Sequence, residues 1–217
     1  MRSTTLKFVI LGVSFFSAAA MCQADVPVTN DGKANVVIVV DPATLGDGLP
    51  PKISPHWGDN KPESLQLRPR ESALDLAHYR EKITGTKIEI RDKAPDQGDA
   101  RVPILIGSLA EKRWGPPAKK ATLKQGYRIV VAKDGVGLWG ESDLSSSYAV
   151  YTLLHDLGCR WFMPSEMGEV IPKAPNLTLK EQDVSGAPHS HYRGVWYADP
   201  HYCRRNRMGG LLLNAGH

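Results

Sequence analysis

Cysteine is scarce in this 217-residue chain, which has only Cys22, Cys159 and Cys203. Three thiols cannot staple a disulfide-dense scaffold, nor supply the four thiolates of a structural zinc fold. Charge of one sign is equally sparse. The formal net charge is +4, and Arg2 and Lys7 of the N-terminal leader carry part of it. No basic block or stripe is present, which argues against nucleic acid as the main partner. Beyond the leader no apolar run is long enough to span a bilayer, and there is no internal repeat or low-complexity tract. At 41% apolar and 23% charged residues, the chain has ordinary globular composition, and its length suits one large domain or two small ones.

The first segment, "MRSTTLKFVILGVSFFSAAAMCQA", places two cations before a short apolar core and then a run of small residues. That is the order of a secretory signal peptide over residues 1–24, with cleavage after Ala24 and a secreted or periplasmic destination. A buried N-terminal helix is the plain alternative. A lipidated Cys22 is a further one, ranked lower because Met21 is bulky for that processing. Export permits a Cys159–Cys203 disulfide; Cys159 reads equally well as a small buried apolar residue.

Residues 25–34 read as a polar lead-in. "NVVIVVD" (35–41) is a continuous apolar run, as in a buried strand. Residues 42–70, rich in Pro, Gly and charge, read as a long loop. "ESALDLAHYREKITG" (71–85) sets Ala73, Leu76, Ala77 and Ile83 on one helical stripe that stops at Gly85. Strands are expected at 87–91 and 102–108. "GYRIVVAKDGVGLWGE" (126–141) reads as a hairpin in which Asp134-Gly135 supplies positive φ. A second helix over 143–158 is capped by Asp143, buries Val150, Leu153, Leu154 and Leu157, and ends at Gly158. Short extended pieces (159–164, 168–173) and a strand (176–184) follow. With so few helices and a hairpin, the economical fold is an α+β layer: a mostly antiparallel sheet with two main helices on one face, over residues 25–184. The composition shifts after 185–188, and 185–217 is set apart as a separate region.

The stretch "YAVYTLLHDLGCRWFMPSEMGEVIPK" (148–173) carries a resemblance. With "ESALDLAHYREKITG", "VPILIGS" and "GYRIVVAKDGVGLWGES" before it in the same order, it resembles the N-terminal α/β domain that precedes the catalytic barrel in α-glucuronidases and β-hexosaminidases. It is most like a large bacterial group of secreted proteins of that arrangement. The resemblance covers about residues 35–200, and "GCRWFMP" with "GEVIP" is its most specific part. It implies an accessory domain followed by a (β/α)₈ barrel that carries a glycosidase site and binds carbohydrate. "HYRGVWYAD" (191–199) then corresponds to the first barrel strand. A barrel of this type needs about 250 residues, so the chain is expected to be the front of a longer polypeptide. The paired carboxylates of glycoside hydrolysis would lie beyond it.

The same resemblance makes Arg193, in "YRG", and Asp199 the candidate substrate-binding residues. A planar guanidinium suits vicinal sugar oxygens; an inter-domain structural arginine is the alternative. His189, His191, His201 and Cys203 have spacings that share a strand face, yet no "HExxH" or paired "CxxC" pattern accompanies them, and they read as loop residues without a metal. No cofactor is expected either: "DGVGLWG" lacks the strand–turn–helix context of a dinucleotide fingerprint. The pairs Glu166/Glu169 and Glu141/Asp143 read as solvated carboxylates. Trp139, Trp161 and Phe162 are of a type that stacks on sugar rings, but aromatics in strands more often read as core; Trp57 and Trp114, in Pro- and Gly-rich loops, are the better exposed candidates. The competing functional reading is an autonomous glycan- or protein-binding module acting through the 42–70 loop and Trp57.

Overall fold

A computed structural model describes residues 25–45, 62–195 and 199–210. The leader with Cys22, and Trp57, lie outside the described residues. The elements in chain order are β1 (Val26–Asn30), β2 (Lys33–Ala34), β3 (Val36–Val39), α1 (Pro42–Leu45), α2 (Pro62–Thr84), β4 (Ile90–Arg91), β5 (Val102–Ile106), α3 (Ser108–Trp114), β6 (Tyr127–Ala132), β7 (Gly135–Gly140), α4 (Asp143–Asp156), β8 (Arg160–Trp161), β9 (Glu169–Val170), β10 (Leu177–Leu179), β11 (Gln182–Gly186), β12 (Tyr192–Arg193), α5 (Pro200–Arg205) and β13 (Gly209–Gly210).

The fold is α+β. Its main sheet runs β11-β6-β7-β5-β3-β4, with smaller sheets β10-β1-β2, β8-β9 and β12-β13. The two long helices pack on one face of the main sheet, as the apolar stripes require. Ala73, Leu76, Tyr79 and Ile83 of α2 and Ala149, Val150, Leu153 and Leu154 of α4 share one core with Val36, Ile38, Ile104, Ile129 and Leu138. The other face carries a smaller cluster of Val37, Val39, Leu105, Val130 and Trp139 under Ala110 of α3. The run "VVIV" is therefore buried on both sides, the pattern of an interior strand in a sheet covered on both faces.

The sheet differs from expectation in its pairing. β3 pairs in parallel with β4 and β5, and β5 pairs in parallel with β7; only β6–β7 and β6–β11 are antiparallel. The sheet is mixed rather than mostly antiparallel. A single long crossover, α2, serves two parallel strands, and the short α3 lies in the connection from β5 to the β6–β7 hairpin, so few helices suffice.

Three local details also differ. First, α2 begins at Pro62 and runs through Pro69, where the sequence reads loop to residue 70. Proline inside a helix removes one backbone donor but does not prevent a well-packed helix from continuing. Second, Asp134 and Gly135 do not have positive φ; that pair occurs instead at Asp31 (48°) and Gly32 (74°), which turn β1 into β2 within the supposed lead-in. Gly135 and Gly137 have a packing role, because a Cβ on Gly137 would lie 2.7 Å from the Trp114 ring. Third, the cap of α4 is Ser142, not Asp143: Ser142 and Ser145 form a reciprocal capping box.

Both edges of the main sheet are charged. Beside β4, Arg91 and Arg101 bond Glu89 (2.7 and 3.0 Å), and Arg101 also bonds Asp99 (2.6 Å). On β11, Asp183 accepts two bonds from Arg128, at 2.8 and 2.7 Å.

Candidate functional site

The polar side chains that the core cannot absorb gather at one seam, where β12, α5 and β13 lie against α2, α4 and the β8–β9 hairpin. Helical spacing builds the inner wall: Glu71, Asp75, Tyr79 and Lys82 recur along one side of α2, and Tyr148, Tyr151, Thr152 and His155 do so along α4.

Arg193 pins the tail to this wall. Its Nε donates to the Arg207 carbonyl (3.1 Å) and its Nη1 to the Ser190 carbonyl (2.7 Å). Its Nη2 donates to Gln125 Oε1 and to Tyr148 Oη, both at 2.8 Å. Four of the guanidinium's five N–H donors are thus engaged, and the group stacks over the Tyr148 ring, 5.2 Å from its centre. Asp199 caps α5 by accepting from the Tyr202 N–H at 2.9 Å.

Helix α5 then inserts two arginines. Arg204 pairs with Glu71 and donates to Tyr151 Oη (3.1 Å). Arg205 reaches Asp75 (3.3 Å) and Glu169 (3.4 Å). Glu169 also accepts from Lys82 (2.8 Å) and from the Tyr79 hydroxyl (2.5 Å). The three inner carboxylates Glu71, Asp75 and Glu169 face the three cations Lys82, Arg204 and Arg205, and the exposed Glu166 lies 3.9 Å from Lys82. Burial works against the ionisation of Glu169, but its bonds from Lys82 and Tyr79 and the charge of Arg205 outweigh burial and hold it below the usual carboxylate value. The Tyr79 hydroxyl is pushed up by burial and by its bond to Glu169, and the Tyr151 hydroxyl by burial and by Asp75; both stay protonated. Trp161 packs edge-on to Tyr79 and Tyr151, 5.0 and 6.1 Å between ring centres.

A cavity of about 310 Å³ opens beside this network. It is lined by His155 in the last turn of α4, by Arg160 and Trp161 of β8 and the following Phe162, and by Arg205, Asn206 and Arg207 at the end of α5. Asn206 ties α5 to β8 by donating to the Trp161 carbonyl (3.1 Å). Burial and the charges of Arg207 and Arg160 lower the pKa of His155, against a weaker opposing effect of Asp156.

Arg193 and Asp199 therefore sit at the same seam, each with a structural bond. The sequence reads Glu169 as solvated; its side chain is 7% exposed and central to the network. Glu166, its sequence neighbour, is exposed. The period that sets Glu169 inward is that of a two-residue strand, too short to read. Phe162, expected in the core, is 67% exposed, because β8 alternates and Trp161 takes the inward position. Trp139 is buried and donates to the Gly115 carbonyl (3.0 Å), and Trp114 stacks on it rather than facing solvent alone. Cys159 and Cys203 are both free thiols. Among the described residues, no group of three His, Cys, Asp or Glu side chains could hold a metal, and no helix is long and apolar enough to cross a membrane.

No family model matches the chain, and no curated protein matches it. Among solved structures, the GH20 β-N-acetylhexosaminidase of Streptomyces coelicolor A3(2) is similar, with a TM-score of 0.44 and 15% identity over 79% of this chain and 25% of that one. The N-acetyl-β-hexosaminidase of Streptomyces plicatus is similar at a TM-score of 0.43 and 14% identity, with the same coverage. The chain thus spans a quarter of the length of either enzyme.

Proposed function

We propose that this chain is the accessory, non-catalytic front portion of a secreted carbohydrate-active enzyme whose parent activity is glycoside hydrolysis. The motif order "GCRWFMP…GEVIP" supports the class of parent. The observation that carries the accessory role is the outer surface of the β8–β9 hairpin. There Phe162, Met163, Met167 and Val170 are 67, 51, 89 and 53% exposed. Four large apolar side chains left exposed on and beside one hairpin suit being covered by a following domain. The buried carboxylates nearby, Glu71, Asp75 and Glu169, are each paired with an arginine or lysine, an arrangement that suits holding the tail rather than acid catalysis.

In this reading Arg193 and Asp199 mark the start of the domain that meets sugar. Arg193 would use its one remaining Nη1 hydrogen, and Asp199 its Oδ2, which has no partner among the described residues. Arg193→Lys is then expected to loosen the tail before it affects any ligand. The test is turnover by the purified full chain on aryl-glycosides and on aldouronic oligosaccharides. None is expected; turnover abolished by substituting one of this chain's own carboxylates would overturn the proposal.

A further inference from the structure

We infer that the cavity between the ends of α4 and α5 is an oxyanion subsite, with Arg160 and Arg207 as its ligands and Phe162 as the wall for the sugar that carries the anion. The sugar as carrier rests on the carbohydrate reading above; the anion does not.

The first argument is charge. Of the three arginines that line the cavity, Arg205 is neutralised by Asp75 and Glu169. Arg160 and Arg207 have no carboxylate within ion-pair distance among the described residues. Arg160 directs Nη1 at the carbonyls of His155 (2.6 Å) and Cys159 (2.8 Å). Arg207 directs Nη1 at Thr152 Oγ1 (3.3 Å). Each keeps its Nε and Nη2 hydrogens without an acceptor among the described residues, and that is the fork a carboxylate, sulfate or phosphate takes in two parallel bonds. The carbonyl ends of α4 and α5 offset about half a charge each at most, less than two full cations. Burial is the main cause of the lowered pKa of His155, and the charges of Arg207 and Arg160 add to it.

The second argument is backbone. Helix α4 closes in a motif with Gly158 at the left-handed position: Gly158 N–H bonds the His155 carbonyl and Cys159 N–H the Leu154 carbonyl. Helix α5 closes in the same motif, with Arg207 N–H on the Arg204 carbonyl and Met208 N–H on the Cys203 carbonyl, but its left-handed residue, at φ 56°, is Arg207. Glycine would sit there without strain. An arginine kept at a position that disfavours every side chain is a local rule broken where its guanidinium faces a cavity.

The third argument is shape. The volume suits one charged group with about one ring attached. Trp161 and Phe162 line the cavity, and Phe162 is largely exposed.

Calorimetric titration of the full chain tests this at constant ionic strength, with sodium sulfate against sodium chloride, then with glucose 6-sulfate against glucose. Saturable sulfate binding is expected, with glucose 6-sulfate at least tenfold tighter and glucose alone silent. Arg207→Gly is expected to weaken sulfate at least tenfold without lowering the unfolding midpoint, since it relieves the strained residue. Arg160→Gln is expected to weaken it similarly, and Arg113→Gln, on the far side of the sheet, to leave it unchanged. Sulfate heats equal to those of chloride, or wild-type affinity in Arg207→Gly, would overturn the subsite. Sulfate binding with no gain for the sugar sulfate would overturn the carrier and with it this link to carbohydrate. Glycosidase turnover would sink the accessory reading and leave the anion result standing.

Discussion

Arg80 is the least comfortable side chain in the core. It is 1% exposed, its Nη2 donates to Thr29 Oγ1 at 3.2 Å, and its Nε has no partner among the described residues. Burial pulls its pKa down to about 10. A buried guanidinium without a carboxylate forfeits hydration that one hydroxyl cannot replace. Arg80→Met is therefore expected to raise stability by roughly 1–3 kcal/mol, read as a higher denaturant midpoint at unchanged m-value; a lower midpoint would mean that the charge has a partner in solution. Glu169 makes the opposite case. Glu169→Gln leaves Arg205 with Asp75 alone and Lys82 with only the exposed Glu166, and is expected to cost about 1–3 kcal/mol. Because the folded carboxyl titrates below its ordinary value of 4.5, the unfolded chain takes up the proton first. Its contribution is complete above about pH 4.5 and is lost as pH falls through the folded value. Denaturant midpoints measured from pH 6 to pH 3 should drop in the wild type and flatten in Glu169→Gln. Neither residue announces itself in sequence. Arg80 lies among the charges of "HYREK", and Glu169 sits in a loop-like "SEMGEV"; what distinguishes them is which neighbours the fold brings, and those are distant in the chain.

At the scale of elements, the long apolar and amphipathic segments were legible. The stripes bury Ala73, Leu76 and Ile83 of α2 and Val150, Leu153 and Leu154 of α4, with Ala77 and Leu157 half-buried beside them, and both helices end at Gly85 and Gly158 with left-handed φ. Boundaries and turns were not. Ser142 rather than Asp143 caps α4, because Ser145 three residues on can return the bond. Ser142→Ala is expected to cost about 1 kcal/mol in thermal unfolding, and Asp143→Ala much less. The "DG" pair nearer the N-terminus makes the left-handed turn while the one in the obvious hairpin does not; dipeptide composition alone cannot tell which strand ends close on each other. The tail hairpin depends on Gly209, at φ 155°. A Cβ there would strike the Tyr148 hydroxyl, the group that also receives Arg193. Gly209→Ala should release β12 and β13 together, seen as faster amide exchange at 192–193 and 209–210 with exchange in β6 and β7 unchanged.

For the molecule as a whole, the seam rather than the sheet governs behaviour. The tail is held by ion pairs and a guanidinium clamp, whereas the sheet is held by apolar packing on two faces. Acid or high salt is therefore expected to loosen the tail before the core unfolds. The mixed pairing of the sheet escaped the sequence reading because parallel neighbours β3, β5 and β7 are far apart in the chain. The class and the helix-bearing face followed from patterns within single segments.

The charged borders of the main sheet have a further effect. A strand from another molecule that extended the main sheet would join at β4 or β11. Beside β4 it would meet the Glu89–Arg91–Asp99–Arg101 lattice, and along β11 the Arg128–Asp183 fork. Such borders discourage backbone-to-backbone growth into filaments. Contacts across the main sheet's borders are instead expected through side chains, and the thioether- and phenyl-rich hairpin offers the apolar ones.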